Sequence, residues 1–398
     1  MPESILFITL HYSPEANFIN QALAEGLVNK GFKVAVITAY PNYPGGKFFK
    51  GYFRFYPTLK NENGVSIIRV PHFPDHSKNM VLRLVSYMSF VLSSFIASLF
   101  VVPFFVPRRL IVYQTPFFAA LATLPYKFFR IPAVYICVDL WPESLLAART
   151  ARKGFLIEFL YKYSRWINRF AKTLVVSTNG MRQRYINDGI DPAKVHFLPV
   201  WVDGIPGSLA AAQLNRRHPK RIVYAGNLGL AQGLDSFIFA FRTQEVISTG
   251  LELCFIGVGN EMESLRSLAD GMGNVSFLGR HTPDAALEFM QNSRAVIAHL
   301  VPSPQFQMTL PSKLSSCLAC GTPFLCGIDG EANRMFEGYS SVFTFESGNV
   351  DAIVNNIIAV SKLSENEIRD LGTKNQDIYR QFFDKTKLVE KYIQACTK

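Results

Sequence analysis

Short apolar runs recur along the chain, and segments with helical periodicity separate most of them. The first run, residues 4–10, has the composition of a strand that is buried on both faces. A helical pattern over residues 18–30 follows it and ends at Gly31. Further strands are predicted at residues 33–38, 65–70, 110–113, 133–138, 173–177 and 195–198. This alternation predicts a doubly wound parallel α/β sheet.

The pattern breaks at residues 204–220, which contain Gly, Pro and a basic cluster, and then it starts again. Strands are predicted at residues 221–225, 252–257, 274–278, 295–300, 323–327 and 341–345. Ser364 and Glu367 form a capping box, which predicts the start of another helix.

The chain is therefore predicted to form two Rossmann-like domains, residues 1–203 and 221–380, joined by the linker 204–220. A helix over residues 381–398 ends the chain, and its return to the first domain is left open. Open α/β sheets bind ligands outside the carboxyl ends of their strands, here expected in a central cleft between the domains.

One apolar stretch is unusually long. Residues 84–107 carry no charge, and 24 such residues are enough to cross a bilayer. A single crossing, however, would separate strands of one sheet. At helical spacing, small and bulky side chains fall on opposite faces. The small face is Ser86, Ser89, Ser93 and Ala97, and the bulky face is Met88, Leu92, Phe95 and Leu99. We expect a helix that lies in the membrane interface, with a buried helix and a true span as alternatives.

Charge is distributed unevenly between the two halves. The net charge is +11, and residues 1–200 hold 23 Lys and Arg against 10 Asp and Glu. The first domain is thus expected to face lipid headgroups or a lipid diphosphate, rather than nucleic acid, for which no binding motif is found. The sequence opens on a strand without a leader pattern, so we expect the cytoplasmic face of a bacterial inner membrane, with peripheral or monotopic attachment.

The six cysteines show no paired spacing. Cys317 and Cys320 form a CxxC with Cys326 nearby, but no second pair follows. Small apolar residues in a buried helix explain this spacing, and a metal or redox site is the alternative.

Two glycine-rich turns follow predicted strands in the second domain. The first contains Gly226 and Gly229, and the second contains Gly257 and Gly259. Glycines let the backbone approach a ligand, and amides at a helix start bind anions, although a plain tight turn has the same composition.

Lys313 is predicted in the first turn of a helix that opens near Pro311 and ends at Gly321. The helix dipole disfavours a cation there by roughly 0.3–1 kcal/mol, and a bound phosphate would reverse that cost. A solvated lysine is the alternative. Glu331 opens the next helix, where it either accepts hydrogen bonds from sugar hydroxyls or serves as a helix-start carboxylate.

Eight short segments, spread over nearly the whole chain, carry a family resemblance. They are SPE (13–15), PNYPGGK (41–47), VYQT (112–115), DLWPES (139–144), AGNLGLAQGLD (225–235), LPSKL (310–314), LACGTP (318–323) and DGEA (329–332). Together they resemble the retaining glycosyltransferases of family four, which have the GT-B fold. More narrowly, they are similar to L-fucosamine transferases of bacterial O-antigen clusters and to colanic acid transferases.

The resemblance implies metal-independent transfer of a sugar from a UDP-sugar to a polyprenyl-diphosphate-linked acceptor. The sugar would be N-acetyl-L-fucosamine or a related amino-deoxy-hexose, and no cofactor is expected. The candidate catalytic residues are Asp139, Lys313 and Glu331. The candidate donor-binding residues are Gly226, Asn227, Gly229, Gln232, Gly257, Gly259, Arg280, Ser312, Ser316 and Gly330. The candidate acceptor-side residues are His11, Tyr12 and Glu143.

The chain departs from the broad family at several positions. Asn227 and Gln232 replace the usual Arg and Lys, and Ser316 replaces a frequent Glu. Two other functions are kept open: a non-hydrolysing sugar-nucleotide epimerase, and an inactive membrane-associated binding protein.

Overall fold

The computed structural model describes residues 3–15, 18–43, 45–75, 77, 79–101, 105–115, 117–142, 154–201, 218–304 and 306–398. The chain divides into two compact units. The N-terminal unit is Met1–Val200 together with Thr386–Lys398, and the C-terminal unit is Trp201–Lys385. The last helix of the chain therefore belongs to the N-terminal unit.

Strands and helices alternate through both units. The strands are β1 (Ser4–Ile8), β2 (Lys33–Ala39), β3 (Thr58–Glu62), β4 (Val65–Val70), β5 (Arg109–Tyr113), β6 (Ala133–Cys137), β7 (Thr173–Val176), β8 (Val195–Phe197), β9 (His218–Ala225), β10 (Glu252–Ile256), β11 (Val275–Gly279), β12 (Ser293–His299), β13 (Phe324–Gly327) and β14 (Val342–Thr344). The helices are α1 (Phe18–Asn29), α2 (Met80–Val101), α3 (Leu124–Phe128), α4 (Phe155–Asn168), α5 (Asn179–Asn187), α6 (Asp235–Phe241), α7 (Gln244–Ile247), α8 (Met262–Leu268), α9 (Pro283–Gln291), α10 (Lys313–Ala319), α11 (Glu331–Phe336), α12 (Val350–Lys362), α13 (Glu365–Phe382) and α14 (Lys385–Thr397).

The N-terminal unit is built on one eight-stranded sheet with the order β3-β4-β2-β1-β5-β6-β7-β8. Its strands run parallel except β3, which pairs antiparallel with β4. The seven strands predicted from apolar runs are confirmed to within two residues at each end. Strand β3 was missed because its sequence, TLKNE, is largely exposed at the sheet edge and has no apolar run.

The C-terminal unit holds a six-stranded parallel sheet with the order β11-β10-β9-β12-β13-β14. Neighbouring residues of β9 point into different cores: Ile222 packs with Phe237 and Ile357, and Val223 packs with Leu314. Because β9 lies beside both β10 and β12, the direction in which strands are added reverses between β9 and β12. That gap is the topological switch point, where ligands of such sheets bind.

Several helix ends follow the predictions. The capping box of Ser364 and Glu367 is present, and Gly31 and Gly321 have the positive φ of helix-ending glycines, 88° and 68°. Strand β9 begins at His218, three residues inside the predicted linker, and residues 204–217 of that linker lie outside the described residues.

Helix α2 has the two predicted faces in part. On the predicted small face, Ser86 and Ala97 are buried, and Ser89 and Ser93 are partly buried. On the bulky face, Met88, Leu92 and Leu99 are exposed, and Phe95 is partly buried. The inward face is not purely small, since Phe90 is fully buried, and the exposed face rules out a wholly buried helix. Within the described residues, Val81–Val101 is long and apolar enough to cross a membrane, and 33% of its most apolar window is buried inside the protein.

Cys317 lies on helix α10, Cys320 is the C-cap residue of that helix, and both are buried. Both thiols donate to backbone carbonyls, Cys317 to Ile297 and Cys320 to Cys317. These contacts are those of packing residues in a buried helix.

Candidate active site

The N-terminal unit has its own switch point, between β1 and β5, and polar residues follow both strands there. After β1, His11 and the buried Glu15 form a contact of 3.1 Å between Nδ1 and Oε2. Tyr12, between them, is only 2% exposed, and burial raises the pKa of its phenol. Its side chain therefore contributes packing at this edge.

Glu15 organises the loop that follows β2, a role that the sequence did not reveal. Its Oε1 accepts hydrogen bonds from the backbone amides of Asn42 and Tyr43, at 2.6 and 2.7 Å. Burial alone would raise the pKa of Glu15, but His11 and the two amides outweigh it and hold the pKa below its usual value. The carboxylate is therefore ionised and fixed.

We expect Glu15→Gln to lower the free energy of unfolding by about 1–3 kcal/mol near neutral pH, because two amides lose a charged acceptor. A carboxyl with a lowered folded pKa stabilises the protein above its unfolded pKa of about 4.3 and loses that effect as pH falls through the folded value. The variant should therefore approach wild-type stability below pH ~4, which thermal unfolding between pH 3 and 7 would measure. A constant difference over that range would contradict the assignment.

Asp139 lies two residues beyond the end of β6. Solvent reaches its side chain, yet enough protein surrounds the carboxyl that desolvation raises its pKa, opposed by a 3.4 Å hydrogen bond from the hydroxyl of Thr115. Glu143 and the start of the helix predicted near Pro142 lie outside the described residues. A carboxyl with a raised pKa suits proton transfer to or from a sugar hydroxyl.

In the C-terminal unit, the loops after β9 and β10 are joined through their backbones. The amide of Leu228 donates to the carbonyl of Val258 at 3.1 Å, and the carbonyl of Leu228 accepts from Glu261 at 2.9 Å. A Cβ atom at Gly257, whose φ is +134°, would lie 1.8 Å from the carbonyl oxygen of Gly226. A Cβ at Gly259 would lie 2.1 Å from the oxygen of Leu228. Glycine at both positions is thus required by the contact between the two loops.

Lys313 is the first residue of helix α10, so its predicted place in the first turn is confirmed. The helix was predicted to open near Pro311, but its N-cap residue is Ser312. Its Nζ lies 3.3 Å from the ring centre of Tyr224, at the end of β9. A Cβ at Gly226 would come within 2.7 Å of the same Nζ. The ammonium therefore lies against the glycine loop at the switch point.

Burial governs the charge of this lysine. Desolvation lowers the pKa of Lys313 to about 7, and the nearby Cys317 opposes the change only weakly because its own thiol is neutral and buried. The side chain contacts an aromatic ring, and no carboxylate within the described residues forms an ion pair with it. An anion beside Lys313 would restore its charge.

Gln232 closes the glycine loop on itself. Its Oε1 accepts the amide of Gly229 at 3.1 Å, and its carbonyl oxygen lies 2.7 Å from Nδ1 of His299. The other ring nitrogen of His299 accepts the amide of Gly348 at 3.0 Å, so the ring is neutral with its proton on Nδ1. Burial lowers the pKa of His299, in agreement with that state. Sequence reasoning missed this histidine, which holds the loop in place.

Gly330 ends the turn before helix α11 and is the N-cap residue of that helix. Gly330 has φ +80°, and a Cβ there would lie 2.2 Å from the carbonyl oxygen of Gln307. Glu331 opens the helix, as predicted, and is only 5% exposed. The turn follows β13, two strands from β9, and so lies about 10 Å from the glycine loop along the sheet edge.

The remaining donor-side candidates are distributed along the same edge. Asn227 and Ser312 are exposed, and Ser316 is partly buried on helix α10. Arg280 is exposed and follows β11, about 10 Å from β9 on the side opposite to Glu331. The fold thus brings Gly226 and Lys313 into contact and spaces Arg280 and Glu331 on either side of them.

Both halves of the chain match glycosyltransferase family models. The family described as glycosyl transferase 4-like domain matches residues 18–201, and the family glycosyl transferases group 1 matches residues 219–362. A protein of Escherichia coli (strain K12), named as a glycosyl transferase of colanic acid biosynthesis, WcaI, is 26% identical over 80% of this chain and 81% of its own.

Solved structures share the fold at low identity. Anabaena HepE in complex with UDP and glucose is 14% identical with a TM-score of 0.63, over 98% of both chains. Sucrose-phosphate synthase from Thermosynechococcus elongatus is 14% identical with a TM-score of 0.70, also over 98% of both chains. The two Rossmann-like sheets and the two matched families together show that this chain belongs to glycosyltransferase family four and is a glycosyltransferase with the GT-B fold.

Proposed function

We propose that the protein transfers a sugar from a UDP-sugar to a polyprenyl-diphosphate-linked acceptor during the synthesis of a surface polysaccharide. The observation that carries the proposal is the Lys313 ammonium against Gly226 at the β9–β12 switch point. Two similar proteins support it: the E. coli relative bears the name of a colanic acid biosynthesis glycosyl transferase, and Anabaena HepE forms a complex with UDP and glucose.

Donor binding follows from charge. A diphosphate is negatively charged and can therefore pair with the partly buried ammonium of Lys313. The backbone of the glycine loop can approach the diphosphate closely because Gly226 has no side chain. During transfer the leaving UDP gains charge, which Lys313 and nearby amides would stabilise in place of a divalent ion. We therefore propose that sugar transfer needs no divalent metal ion, so that a chelator such as EDTA does not inhibit it.

Acceptor binding is assigned to the N-terminal unit. Asp139, with its raised pKa, is proposed to orient the acceptor hydroxyl, while His11, fixed by Glu15, lies at the same carboxyl edge of the sheet. Glu331 is proposed to accept hydrogen bonds from the sugar or the ribose. The amino-deoxy-hexose proposed for the donor rests on the family resemblance.

The direct test measures UDP release with a panel of UDP-sugars, in the presence and absence of a polyprenyl-diphosphate-linked sugar. We expect acceptor-dependent release with one donor, unchanged by EDTA. Epimerised donor without acceptor would identify an epimerase instead. Tight donor binding with no turnover across the panel would identify a binding protein.

We also propose attachment to the cytoplasmic face of a bacterial inner membrane, through helix α2 and the surface beside it. The contacts run from α2 to α4: the hydroxyl of Tyr126 donates to the carbonyl of Ser98 at 3.0 Å, Lys127 lies 3.2 Å from the ring centre of Phe170, and Trp166 packs on Phe170. These helices and the turn after α3 carry large exposed apolar side chains: Leu92, Leu99, Phe100, Phe128, Phe129, Phe155, Phe159 and Trp166. Aromatic and basic side chains together suit a membrane interface.

Replacing Leu92 and Phe100 together by Glu should abolish sedimentation with vesicles that contain anionic phospholipid, because two exposed apolar side chains would become charged. Ile247→Glu is the matched control, since Ile247 is 47% exposed on the C-terminal unit, and it should bind like wild type. Equal vesicle binding by the wild type, the double variant and Ile247→Glu would show that α2 does not contact the membrane.

A further inference from the structure

The N-terminal unit contains an apolar groove that the donor and acceptor residues above do not use. It has a volume of about 700 Å³ and lies between helix α2 and the sheet face formed by β2, β4 and the edge strand β3. That volume falls within the range of about 300–1,000 Å³ found for pockets that hold whole small ligands. Apolar side chains from both walls line it, among them Leu59, Ile68, Ile96 and Phe105.

The sheet register gives the direction of the groove. Lys33, at the amino end of β2, lines one end, and Pro71, just past the carboxyl end of β4, lines the other. The groove therefore extends along the strands for the length of β2, about 20 Å at 3.3 Å per residue. Helix α2 runs alongside in the opposite direction. Ser89, in its first half, accepts the backbone amide of Phe73, close to Pro71, whereas the ring centre of Phe105, beyond its end, lies 5.4 Å from Lys33 Nζ.

One end of the groove lies at the candidate acceptor edge. His72, which follows Pro71, is within 3.1 Å of Nδ2 of Asn42, and the backbone amide of Asn42 donates to Glu15. Glu15 in turn contacts His11. A molecule with its polar head at this carboxyl edge of the sheet can thus have an apolar tail in the groove.

The groove is also open to the exposed apolar surface. Ile96 and Phe100 line it and are 44% and 72% exposed, and Leu59, on the opposite wall, is 68% exposed. A tail could therefore pass from the groove into a membrane without crossing polar surface. Each CH₂ group buried there contributes about 0.8 kcal/mol, so a few isoprene units would dominate acceptor affinity.

We propose that this groove binds the first isoprene units of the polyprenyl chain of the lipid-linked acceptor, with the diphosphate at the carboxyl edge of the sheet beyond Pro71 and the distal chain in the membrane. This inference rests on the proposed function. It predicts that the protein selects acceptors by chain as well as by sugar, and that long-chain acceptors have the lower KM.

The test uses a polyprenyl diphosphate that carries a photoreactive diazirine on an isoprene unit near the head, with full-length protein in detergent. Light should label peptides from residues 57–71 and 93–105. Ser93→Phe, which places a ring in the groove, should lower that labelling about tenfold, because several CH₂ groups are displaced. Leu59→Glu should also lower the labelling. Because Leu59 is on the exposed edge strand, this second variant keeps the test valid if Ser93→Phe fails to fold.

Val85→Phe is the matched control, because Val85 is on the same helix but is 46% exposed and does not line the groove. It should label like wild type. Labelling outside both peptides, or undiminished labelling of both groove variants, would overturn the proposal. Equal labelling by a diazirine phosphatidylglycerol would also overturn it, by identifying a site for bulk lipid.

The two proposals fail separately. Labelling requires no transfer, so a labelled groove without UDP release from any donor contradicts the proposed reaction but not the groove. Acceptor-dependent UDP release with equal KM for short-chain and long-chain acceptors contradicts the groove but not the reaction.

Discussion

Replacing Lys313 by alanine is expected to lower kcat/KM for the nucleotide-sugar donor by about 10- to 150-fold, the effect of losing one charged hydrogen bond of roughly 1.5–3 kcal/mol. The same lysine should make donor binding depend on pH. Its pKa is about 7 in the free protein, and a bound diphosphate would raise it. Donor affinity should therefore fall as pH rises from 7 towards 10, with uptake of a proton on binding, which calorimetry in buffers of different ionisation enthalpy would measure.

Two variants separate this role from a role in stability. Lys313→Met removes an amine whose pKa in the folded protein lies below its unfolded value of about 10.4. In the wild type, burial of the charged amine lowers the free energy of unfolding, and this destabilisation is largest below pH 7 and disappears above pH ~10. That variant should be more stable than wild type at pH 7 and yet bind UDP poorly. Lys374→Ala is the control, because Lys374 is exposed on α13. Normal turnover by Lys313→Met would contradict the assignment.

Gly257→Ala is expected to lower the free energy of unfolding by about 2–4 kcal/mol and to remove donor binding. The new Cβ would lie 1.8 Å from the oxygen of Gly226, and the residue has φ +134°, so collision and backbone strain add together. Relief of the collision must shift the loop that carries Gly226 or the loop that carries Gly257, and so alter the position of Gly226 relative to Lys313. Chemical denaturation and UDP titration measure the two effects.

Gly250→Ala is the matched control for this prediction. Gly250 also has a positive φ, +66°, but a Cβ there meets nothing within 4 Å. It should cost only about 1 kcal/mol, from backbone strain alone, and leave UDP binding intact. Similar behaviour of the two variants would mean that the loop contact at Gly257 is not needed for the site.

The strands could be predicted because those of a doubly covered parallel sheet are short apolar runs. In β1 the run from Ile5 to Ile8 is fully buried, so burial and sequence pattern coincide. Strand β3 escaped prediction for the opposite reason: its residues depend on pairing with β4 rather than on burial. An edge strand of this kind can be recognised only from the strand with which it pairs.

The site was predictable where backbone chemistry limits the residue type. Glycine is required at Gly257 and Gly259, and the Pro and Gly around α10 mark its ends, so the position of Lys313 followed from local sequence. Glu15 and His299 were not predicted as site residues, because a single carboxyl or imidazole has no local pattern. Their roles arise from amides 27 to 49 positions away, at Asn42, Tyr43 and Gly348.

Helix α14 is an internal part of the N-terminal unit although it follows the whole C-terminal unit in the sequence. Tyr392 is 1% exposed and its hydroxyl donates to the carbonyl of Leu198, and a Cβ at Gly26 would lie 2.9 Å from Ile393. Residues 1–200 alone would therefore expose an apolar surface that α14 covers in the folded unit. A chain truncated before α14 would leave that surface open to chaperones and proteases.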